Sequence, residues 1–247
     1  MMDDFWIFLV IGFLAQVIDG ALGMAYGVTT TSFLLSFGFP PVTASAITHA
    51  AECITTGFSA LAHHQLGNVD KSLFFKLLVP GIIGAILGAF MLTYIDGSVI
   101  KPIIAVYLLV MGFIIISKAF TVFPPVAVTH HLIPLGFGGA FMDAIGGGGW
   151  GPIITSTLLA RGLDARTTIG SVNACEVFIA TTVSITFFLS NVIIGWQVIA
   201  ALALGGAIAS PFGALLCKYI PVKVLLLTVG FLIIGLSSRT LWLSLQG

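Results

Sequence analysis

The stretch GFLAQVIDGALGMAYGV, residues 12–28, returns in altered form as GFGGAFMDAIGGGGWGP, residues 136–152. The offset is 136 − 12 = 124 residues, and at this offset Asp19 aligns with Asp143. Each copy places an acid and several glycines inside an otherwise apolar segment. A duplicated membrane domain with polar interruptions at matching positions is typical of a transporter with its binding site between the repeats.

The composition is that of a membrane protein. Hydrophobic residues make up 58% of the chain and charged residues 7%, and the mean hydropathy is +1.16. A soluble domain carries about 25% charged residues, so we expect the lipid bilayer to surround this chain. The net charge is zero and there is no basic tail, which argues against nucleic acid as a partner. Residues 1–8, MMDDFWIF, carry acids where a secretory signal has basic residues, so we interpret them as part of the first membrane segment.

Eight apolar segments predict an all-α integral membrane protein. The expected helices are 5–38 (interrupted), 43–64, 73–94, 99–118, 131–160 (interrupted), 167–190, 194–217 and 222–244. They divide into a first repeat, residues 1–118, and a second repeat, residues 131–247, joined by a linker at 119–130 within a single membrane domain.

The two interrupted segments decide the predicted topology. Residues 5–38 would form a straight helix of about 51 Å, whereas the hydrocarbon core is only about 30 Å thick. One steeply tilted span is an alternative, but a re-entrant hairpin of two half-helices fits better. In the second copy, the glycines at 146–149 are poor helix formers, and Pro152 suits the first position of a new helix.

The distribution of basic residues favours hairpins. If both interrupted segments were single spans, the nine Lys and Arg residues would divide 5 to 4 between the two sides of the membrane. If both are hairpins, the division is 7 to 2, and only Lys101 and Arg239 oppose the rest, as the positive-inside rule requires. Each repeat is then a broken, re-entrant segment followed by three transmembrane helices. An odd number of crossings inverts the second repeat relative to the first and leaves both termini outside.

Four acids lie inside apolar segments as two repeat-related pairs, Asp19 with Asp143 and Glu52 with Glu176. A charge at the bilayer centre costs on the order of 3 kcal/mol or more, so such residues face a cavity or are protonated. We expect all four to take part in proton coupling. For the two aspartates, which lie beside the breaks, capping of a helix end is an equally good interpretation.

The glycine-rich breaks predict an anion site. A helix that restarts inside the membrane exposes unpaired backbone N–H groups and the positive end of its dipole, and together these bind anions without a fixed positive charge. Hydroxyl groups follow one turn further in, aromatic residues in register shape or gate the passage, and polar residues three positions before each glutamate line the cavity. The expected substrate-binding residues are Gly23, Met24, Ala25, Tyr26, Gly27, Thr31, Gly147, Gly148, Gly149, Trp150, Gly151, Thr155, His49 and Asn173.

No Lys or Arg lies deep within a predicted span, so a charged anion clamp is not expected unless Arg161 or Arg166 folds inward. Four ionised acids would repel an anion. The two observations agree if the carboxyl groups are neutral when the anion binds, and burial favours the neutral form. This indicates proton-linked transport.

The paired GF…D…G motifs, the glutamate in the second segment of each half and the eight apolar segments are similar to those of the TauE/SafE family of sulfite exporters. The resemblance runs from about Gly12 to Ser238. It implies a multi-pass carrier in the cytoplasmic membrane of a bacterium or archaeon, with small sulfur-containing anions such as sulfite or organosulfonates as substrates. We therefore expect a secondary transporter that exports such an anion, and not an enzyme.

Several alternatives remain open at this point. An anion channel, or an uptake permease for anions of the sulfate or thiosulfate type, needs the same kind of site. A membrane-embedded metal-handling protein is less favoured, because Asn173 replaces His49 in the second half. The three cysteines are an odd number without a CxxC motif, which indicates neither disulfides nor a zinc site. We expect no metal or other cofactor, and the pattern leaves open whether several copies of the chain associate.

Overall fold

The computed structural model of the 247-residue chain describes residues 2–120, 131–192, 195–216 and 222–246. Within these ranges the regular structure is entirely helical, as predicted. The helices of the first half are α1 (Met2–Leu22), α2 (Tyr26–Ser36), α3 (Pro41–Gln65), α4 (Lys71–Tyr94) and α5 (Gly97–Lys118). Those of the second half are α6 (Leu132–Gly146), a π-helical turn (Gly151–Thr155), α7 (Ser156–Ala160), α8 (Ala165–Leu189), α9 (Trp196–Leu216) and α10 (Val222–Gln246). Most of the predicted linker, residues 121–130, lies outside the described residues.

Short polar signals set where the helices begin. Pro41 occupies the first turn of α3, where its missing N–H costs nothing. Asp70, Asp96 and Asp164 precede α4, α5 and α8, and each accepts a hydrogen bond from a backbone N–H of the first turn. Hydrogen bonds from Ser98 lower the pKa of the exposed Asp96 carboxyl. Such caps satisfy N–H groups that the helix itself leaves unpaired.

Four helices in the described part of the chain are long and apolar enough to cross a membrane. They are Lys71–Tyr94, Gly97–Lys118, Arg166–Leu189 and Leu226–Gln246. Shorter apolar stretches lie at Phe5–Gly20, Leu132–Gly146 and Trp196–Ser210. Helix α3 has 25 residues but buries a run of Ser, Thr, His and Glu side chains, so it is the polar helix of the bundle.

The helices pack in pairs that match the sequence repeat. Helix α1 packs along α9, α6 along α4, α5 along α10 and α3 along α8. At the 124-residue offset, α1 is equivalent to α6 and α4 to α9, so the first two pairs are equivalent to each other. In each of the other two pairs, the two helices are equivalent to one another. Glycine permits the close approach: a Cβ at Gly12 would clash with the Leu202 backbone, and one at Gly136 with the Leu77 backbone.

The chain reverses direction at both breaks. The Phe8 ring of α1 contacts the rings of Phe37 and Phe39, with centroids 5.7 and 5.9 Å apart. A straight helix would separate Phe8 from Phe37 by about 43 Å at 1.5 Å per residue. In the second half, a Cβ at Gly139 of α6 would meet the side chain of Ile154, beyond the break. Two fold-back hairpins therefore replace the alternative of single tilted spans.

The bundle has two ends, which we call end A and end B. At end A, Gly97 lies against Pro41, and Arg239 donates to the Ser36 hydroxyl across 2.6 Å. At end B, the Asp70 amide donates to the Ser171 hydroxyl across 2.8 Å. Also at end B, the Lys223 ammonium lies 4.5 Å from the centre of the Phe120 ring.

Candidate functional site

Asp19 and Asp143 cap the helices that restart after the breaks. Oδ1 of Asp19 accepts from the amides of Ala25 and Tyr26, at 2.8 and 3.2 Å. Oδ1 of Asp143 accepts from the amide of Trp150 at 2.9 Å. Both carboxylates are buried. The capping interpretation is therefore confirmed for both residues, and their part in proton coupling stays a prediction.

The breaks themselves are the same turn in both halves. Gly23 and Gly147 have φ of 62° and 66°, in the left-handed region that favours glycine. The Gly23 amide donates to the Asp19 carbonyl at 2.6 Å. The Gly147 amide likewise donates to the Asp143 carbonyl, which also accepts from the Gly148 amide at 3.1 Å. Each turn therefore ends one helix and aims the start of the next at the centre of the bundle.

The two breaks pack directly against each other. A Cβ at Gly27 would lie 2.7 Å from Cα of Gly148. Thr31 donates its hydroxyl to the Gly147 carbonyl, and Thr155 donates to the Gly23 carbonyl at 3.3 Å. Because Thr31 and Thr155 are in register, these contacts are reciprocal. The sequence-predicted residues of both breaks therefore meet in one place, with no space for an anion between Gly27 and Gly148 in this arrangement.

Only some of the predicted amides are free. The amides of Ala25, Tyr26 and Trp150 are used by the aspartate caps, which corrects the expectation that the whole of each break faces a ligand. In the described part of the chain, the amides of Gly27 and Gly151 have no acceptor. These two residues are in register, so the start of each new helix has a free amide at the equivalent position.

Lys118, which stands at the end of a predicted span, brings a cation to the breaks that the sequence did not single out. Its side chain is half-buried at the end of α5, and Nζ lies 3.2 Å from the Pro152 carbonyl and 3.5 Å from Sδ of Met24. It thus touches both breaks. Arg166, one of the two arginines that would have to fold inward to form a charged clamp, is exposed. Sequence alone gave no signal for Lys118, because its partners are 94 and 34 residues away along the chain.

Helix α3 is hydrogen-bonded to both breaks. The Ser45 hydroxyl donates to the Ala144 carbonyl at 2.6 Å, and the Thr48 and Thr31 hydroxyls are 2.9 Å apart. Nε2 of His49 lies 3.1 Å from Oδ2 of Asp143. His49, predicted to bind substrate, is thus in contact with a capping aspartate.

Asn173 does not repeat the contacts of His49, although the two are in register. Its side-chain amide donates to the Ser59 hydroxyl of α3 at 2.9 Å. Its Oδ1 is buried and has no partner among the described residues. The site is therefore built from related segments but is chemically asymmetric.

Glu52 and Glu176 differ from every other acid whose side chain the structure describes, because they cap no helix. They are 2% and 8% exposed, and neither carboxylate has a hydrogen-bond partner within the described ranges. Oε1 of Glu52 lies beside Gly27, where an added Cβ would be 2.7 Å away. The two glutamates lie within electrostatic reach of one another, as part of one group with the buried aspartates.

Hydrogen bonds to neighbouring helices hold the aromatic residues of the breaks in position. Tyr26 donates its hydroxyl to the Leu202 carbonyl of α9 at 3.2 Å. Trp150 donates its indole N–H to the Val172 carbonyl of α8 at 3.1 Å. Tyr107 of α5, which the sequence did not single out, donates to the Gly148 carbonyl at 3.0 Å. A gating role for Tyr26 and Trp150 stays a prediction.

The described residues contain no group of three or more His, Cys, Asp and Glu side chains placed to hold a metal ion. The buried acids are spread over α1, α3, α6 and α8. What the arrangement offers chemically is a pair of helix starts with free amides, one nearby ammonium group and two unpaired carboxyl groups.

Comparison with known proteins identifies a matching family and a relative of known name. The model of the family described as "Sulfite exporter TauE/SafE" matches residues 8–240. The chain is 42% identical over 248 aligned positions to a protein of Bacillus subtilis (strain 168) named "Probable membrane transporter protein YtnM". The alignment covers 95% of this chain and 82% of that relative. No solved structure matches the chain significantly.

Proposed function

The chain belongs to the TauE/SafE family of sulfite exporters, and from this premise we propose that it exports a small sulfur-containing anion, sulfite or an organosulfonate, across the cytoplasmic membrane in a proton-linked cycle. It is a membrane transporter by family. The substrate, the direction and the proton linkage are the proposal. The observation that carries it is the meeting of two helix starts, each with a free amide, beside the Lys118 ammonium.

Two inverted repeats provide the framework for this function. The fold-back at each break returns the chain to the end where it entered, and three further helices then cross the bundle. An odd number of crossings places α6 at end B, whereas α1 begins at end A. Among the described basic residues, only Lys101 and Arg239 fall at end A, which supports a cytoplasmic end B.

The chemistry of the breaks suits a compact anion. The free amides of Gly27 and Gly151 are hydrogen-bond donors at positive helix ends, which is the usual protein arrangement for oxyanions. The Lys118 ammonium lies within reach of both breaks and supplies the positive charge that amides alone lack. Oxygen atoms of a sulfite or sulfonate group accept hydrogen bonds from both kinds of donor.

Transport requires the breaks to separate, because Gly27 and Gly148 are in contact in this structure. We interpret this arrangement as one in which the two breaks are closed against each other. Rocking of one repeat against the other would open the gap alternately to end A and end B. Protonation of Glu52 and Glu176 would remove the negative charges that otherwise repel the anion.

A liposome flux panel tests the proposal. Purified protein in proteoliposomes is assayed with sulfite, sulfate, thiosulfate and sulfoacetate, each with and without an imposed pH gradient. We expect flux of sulfite or sulfoacetate that the pH gradient accelerates. Flux of sulfate or thiosulfate alone would favour the uptake permease, and flux indifferent to the gradient would favour a channel.

The variant Lys118→Met tests the anion site itself. It keeps the length of the side chain but removes the ammonium group, and a hydrogen bond to a charged group contributes about 1.5–3 kcal/mol. We expect the substrate concentration for half-maximal flux to rise roughly tenfold or more, which corresponds to about 1.4 kcal/mol or more. Lys76→Met, which removes an exposed lysine of α4, is the matched control and should leave this concentration unchanged. Equal behaviour of the two variants would remove Lys118 from the site.

A further inference from the structure

We infer that His49 and Asp143 hold one proton between them, and that this proton allows the His49 ring to bond both Ser45 of α3 and Asp143 of α6. The inference rests on the transport function proposed above and assigns His49 a different task from substrate binding. It is drawn from the hydrogen-bond partners of three neighbouring side chains, Ser45, His49 and Asp143.

Nδ1 of His49 is a hydrogen-bond donor. This atom lies 2.8 Å from the Ser45 carbonyl oxygen and 3.3 Å from the Ser45 hydroxyl. The hydroxyl has a single proton, which it donates to the Ala144 carbonyl at 2.6 Å. A carbonyl oxygen can only accept, so Nδ1 must carry the proton of its 2.8 Å contact.

Nε2 of His49 faces a carboxylate oxygen. It lies 3.1 Å from Oδ2 of Asp143, and a bond between them needs one further proton. That proton resides either on Nε2, giving an imidazolium and a carboxylate, or on Oδ2, giving an imidazole and a carboxylic acid. Both forms hold the same number of protons, and in both Oδ1 remains free to accept from the Trp150 amide.

Loss of this proton removes one of the two hydrogen bonds of the His49 ring. With Nδ1 protonated, the bare Nε2 lone pair faces the Asp143 carboxylate. If the remaining proton moves to Nε2, the bare Nδ1 faces the Ser45 carbonyl. Either way one contact between two acceptors replaces a hydrogen bond of the ring, and the pair is left with a net negative charge. The proton therefore maintains both hydrogen bonds of the ring and keeps the pair neutral, which favours an anion nearby.

The pair has no counterpart at the first break. Asn173 stands at the position of His49, cannot titrate, and donates to Ser59 instead. Asp19 accepts from two amides through Oδ1, and no ion pair to it is formed within the described residues. The other titratable groups that interact electrostatically with Asp143 are Glu52 on α3, Glu176 on α8 and Tyr107 on α5. Asp19 on α1 and Tyr26 on α2 interact with Glu52 in turn.

Nitrogen-15 NMR of histidine-labelled protein tests the protonation of His49 without any transport assay. The chain has five histidines, and the signal of His49 is the one lost in His49→Gln. Should that variant not fold, replacing the other four histidines by glutamine isolates the same signal. We expect Nδ1 to bear a proton whenever the pair holds its shared proton, and to lose it only together with that proton. A neutral ring with its proton on Nε2 and a bare Nδ1 at every pH at which the protein stays folded would overturn the inference.

Transport measurements test the role of the proton. In His49→Gln the side-chain amide still donates to Asp143 but carries no titratable proton. We expect exchange of the anion between the two sides to persist, while accumulation driven by a pH gradient falls by about 5- to 150-fold, the range of typical coupling between two sites. His64→Gln, the same change at an exposed position of α3, should transport like the unaltered protein.

The one-proton pair and the proposed transport function are refuted by different results. Unchanged gradient-driven accumulation in His49→Gln would overturn the one-proton pair while leaving the anion transporter in place. An unaltered protein that moves none of the anions would refute the proposed function, and the NMR result on the His49 ring would still decide the protonation of the pair.

Discussion

The buried acids differ in what their carboxylates contact. Asp19 and Asp143 each accept from a backbone amide across a helix break, so they have a structural reason to be there. Glu52 and Glu176 have none that the described residues reveal, although both are buried. Burying a carboxyl group without a hydrogen-bond partner destabilises the fold. Two such groups that stabilise no helix indicate a function.

Replacing either glutamate by glutamine should abolish flux driven by a pH gradient while leaving the fold intact. Glutamine keeps the shape and removes the titratable proton. The measurement is gradient-driven uptake in proteoliposomes, with thermal unfolding in detergent to show that the fold is retained. Asp164→Asn is the matched control, because it removes a charge at an exposed helix cap where asparagine caps equally well. Full gradient-driven flux in both glutamine variants would argue against their role.

The contact between the breaks depends on glycine at position 27. In Gly27→Ala the new Cβ would press on Gly148 and on Glu52. We expect a loss of about 1–3 kcal/mol, as for other overpacked sites, visible as a lower melting temperature. Gly138→Ala is the control, since a Cβ there meets nothing within 4 Å, and a helical alanine is more favourable than glycine by up to about 1 kcal/mol. Equal melting of the two variants would contradict close packing of the breaks.

At the scale of helices, the start of α2 relies on a cap from another helix. No side chain at Ala25 can cap it, and Asp19 reaches across the break from α1 instead. The second half repeats this with Asp143 and Trp150. A rigid turn with a built-in cap holds both helix starts in position, which a flexible glycine loop could not do.

Removal of this cap should lower the stability of the fold. Asp19→Ala leaves the amides of Ala25 and Tyr26 unpaired, and loss of a helix cap costs about 0.5–2 kcal/mol. Asp19→Asn keeps the accepting oxygen and should melt close to the unaltered protein. Thermal unfolding of the two variants side by side makes the comparison. If alanine and asparagine destabilise equally, the charge of Asp19 and not its cap is what the fold needs.

At the scale of the whole molecule, the two hairpins give the bundle two ends that differ in charge. Helices α3, α4 and α5 run between end A and end B, and the second half starts where the first stops. The lysines and arginines gather at end B, with Lys101 and Arg239 as the exceptions among the described residues. This is the charge asymmetry that orients membrane proteins.

Cysteine labelling checks the orientation. In a chain whose native cysteines are replaced by serine, Leu66→Cys marks end B and Tyr94→Cys marks end A. Both positions are well exposed, at 73% and 75%. We expect a membrane-impermeant thiol reagent to label Tyr94→Cys in intact cells and Leu66→Cys only in inverted membranes. Labelling of both from the same side would refute the alternation of the helices.

Much of this architecture follows from local sequence. The apolar segments bounded the helices to within a few residues, and the glycine runs located both breaks, because glycine and proline act on the backbone where they stand. The repeat also paired Thr31 with Thr155, which the structure joins to opposite breaks. The predicted aspartate caps depended on distances of only six or seven residues.

Other features needed the folded chain. Lys118 appeared in the sequence as an ordinary residue at the end of a span, yet its ammonium group lies between two breaks that are far from it along the chain. His49 and Asn173 occupied equivalent positions, but only His49 meets an aspartate, 94 residues away. Composition, repeat and helix breaks are properties of neighbouring residues, so the sequence determined them. Which amides stay free, which cation reaches the breaks and which acids lack partners depend on contacts between distant helices, so only the tertiary structure decided them.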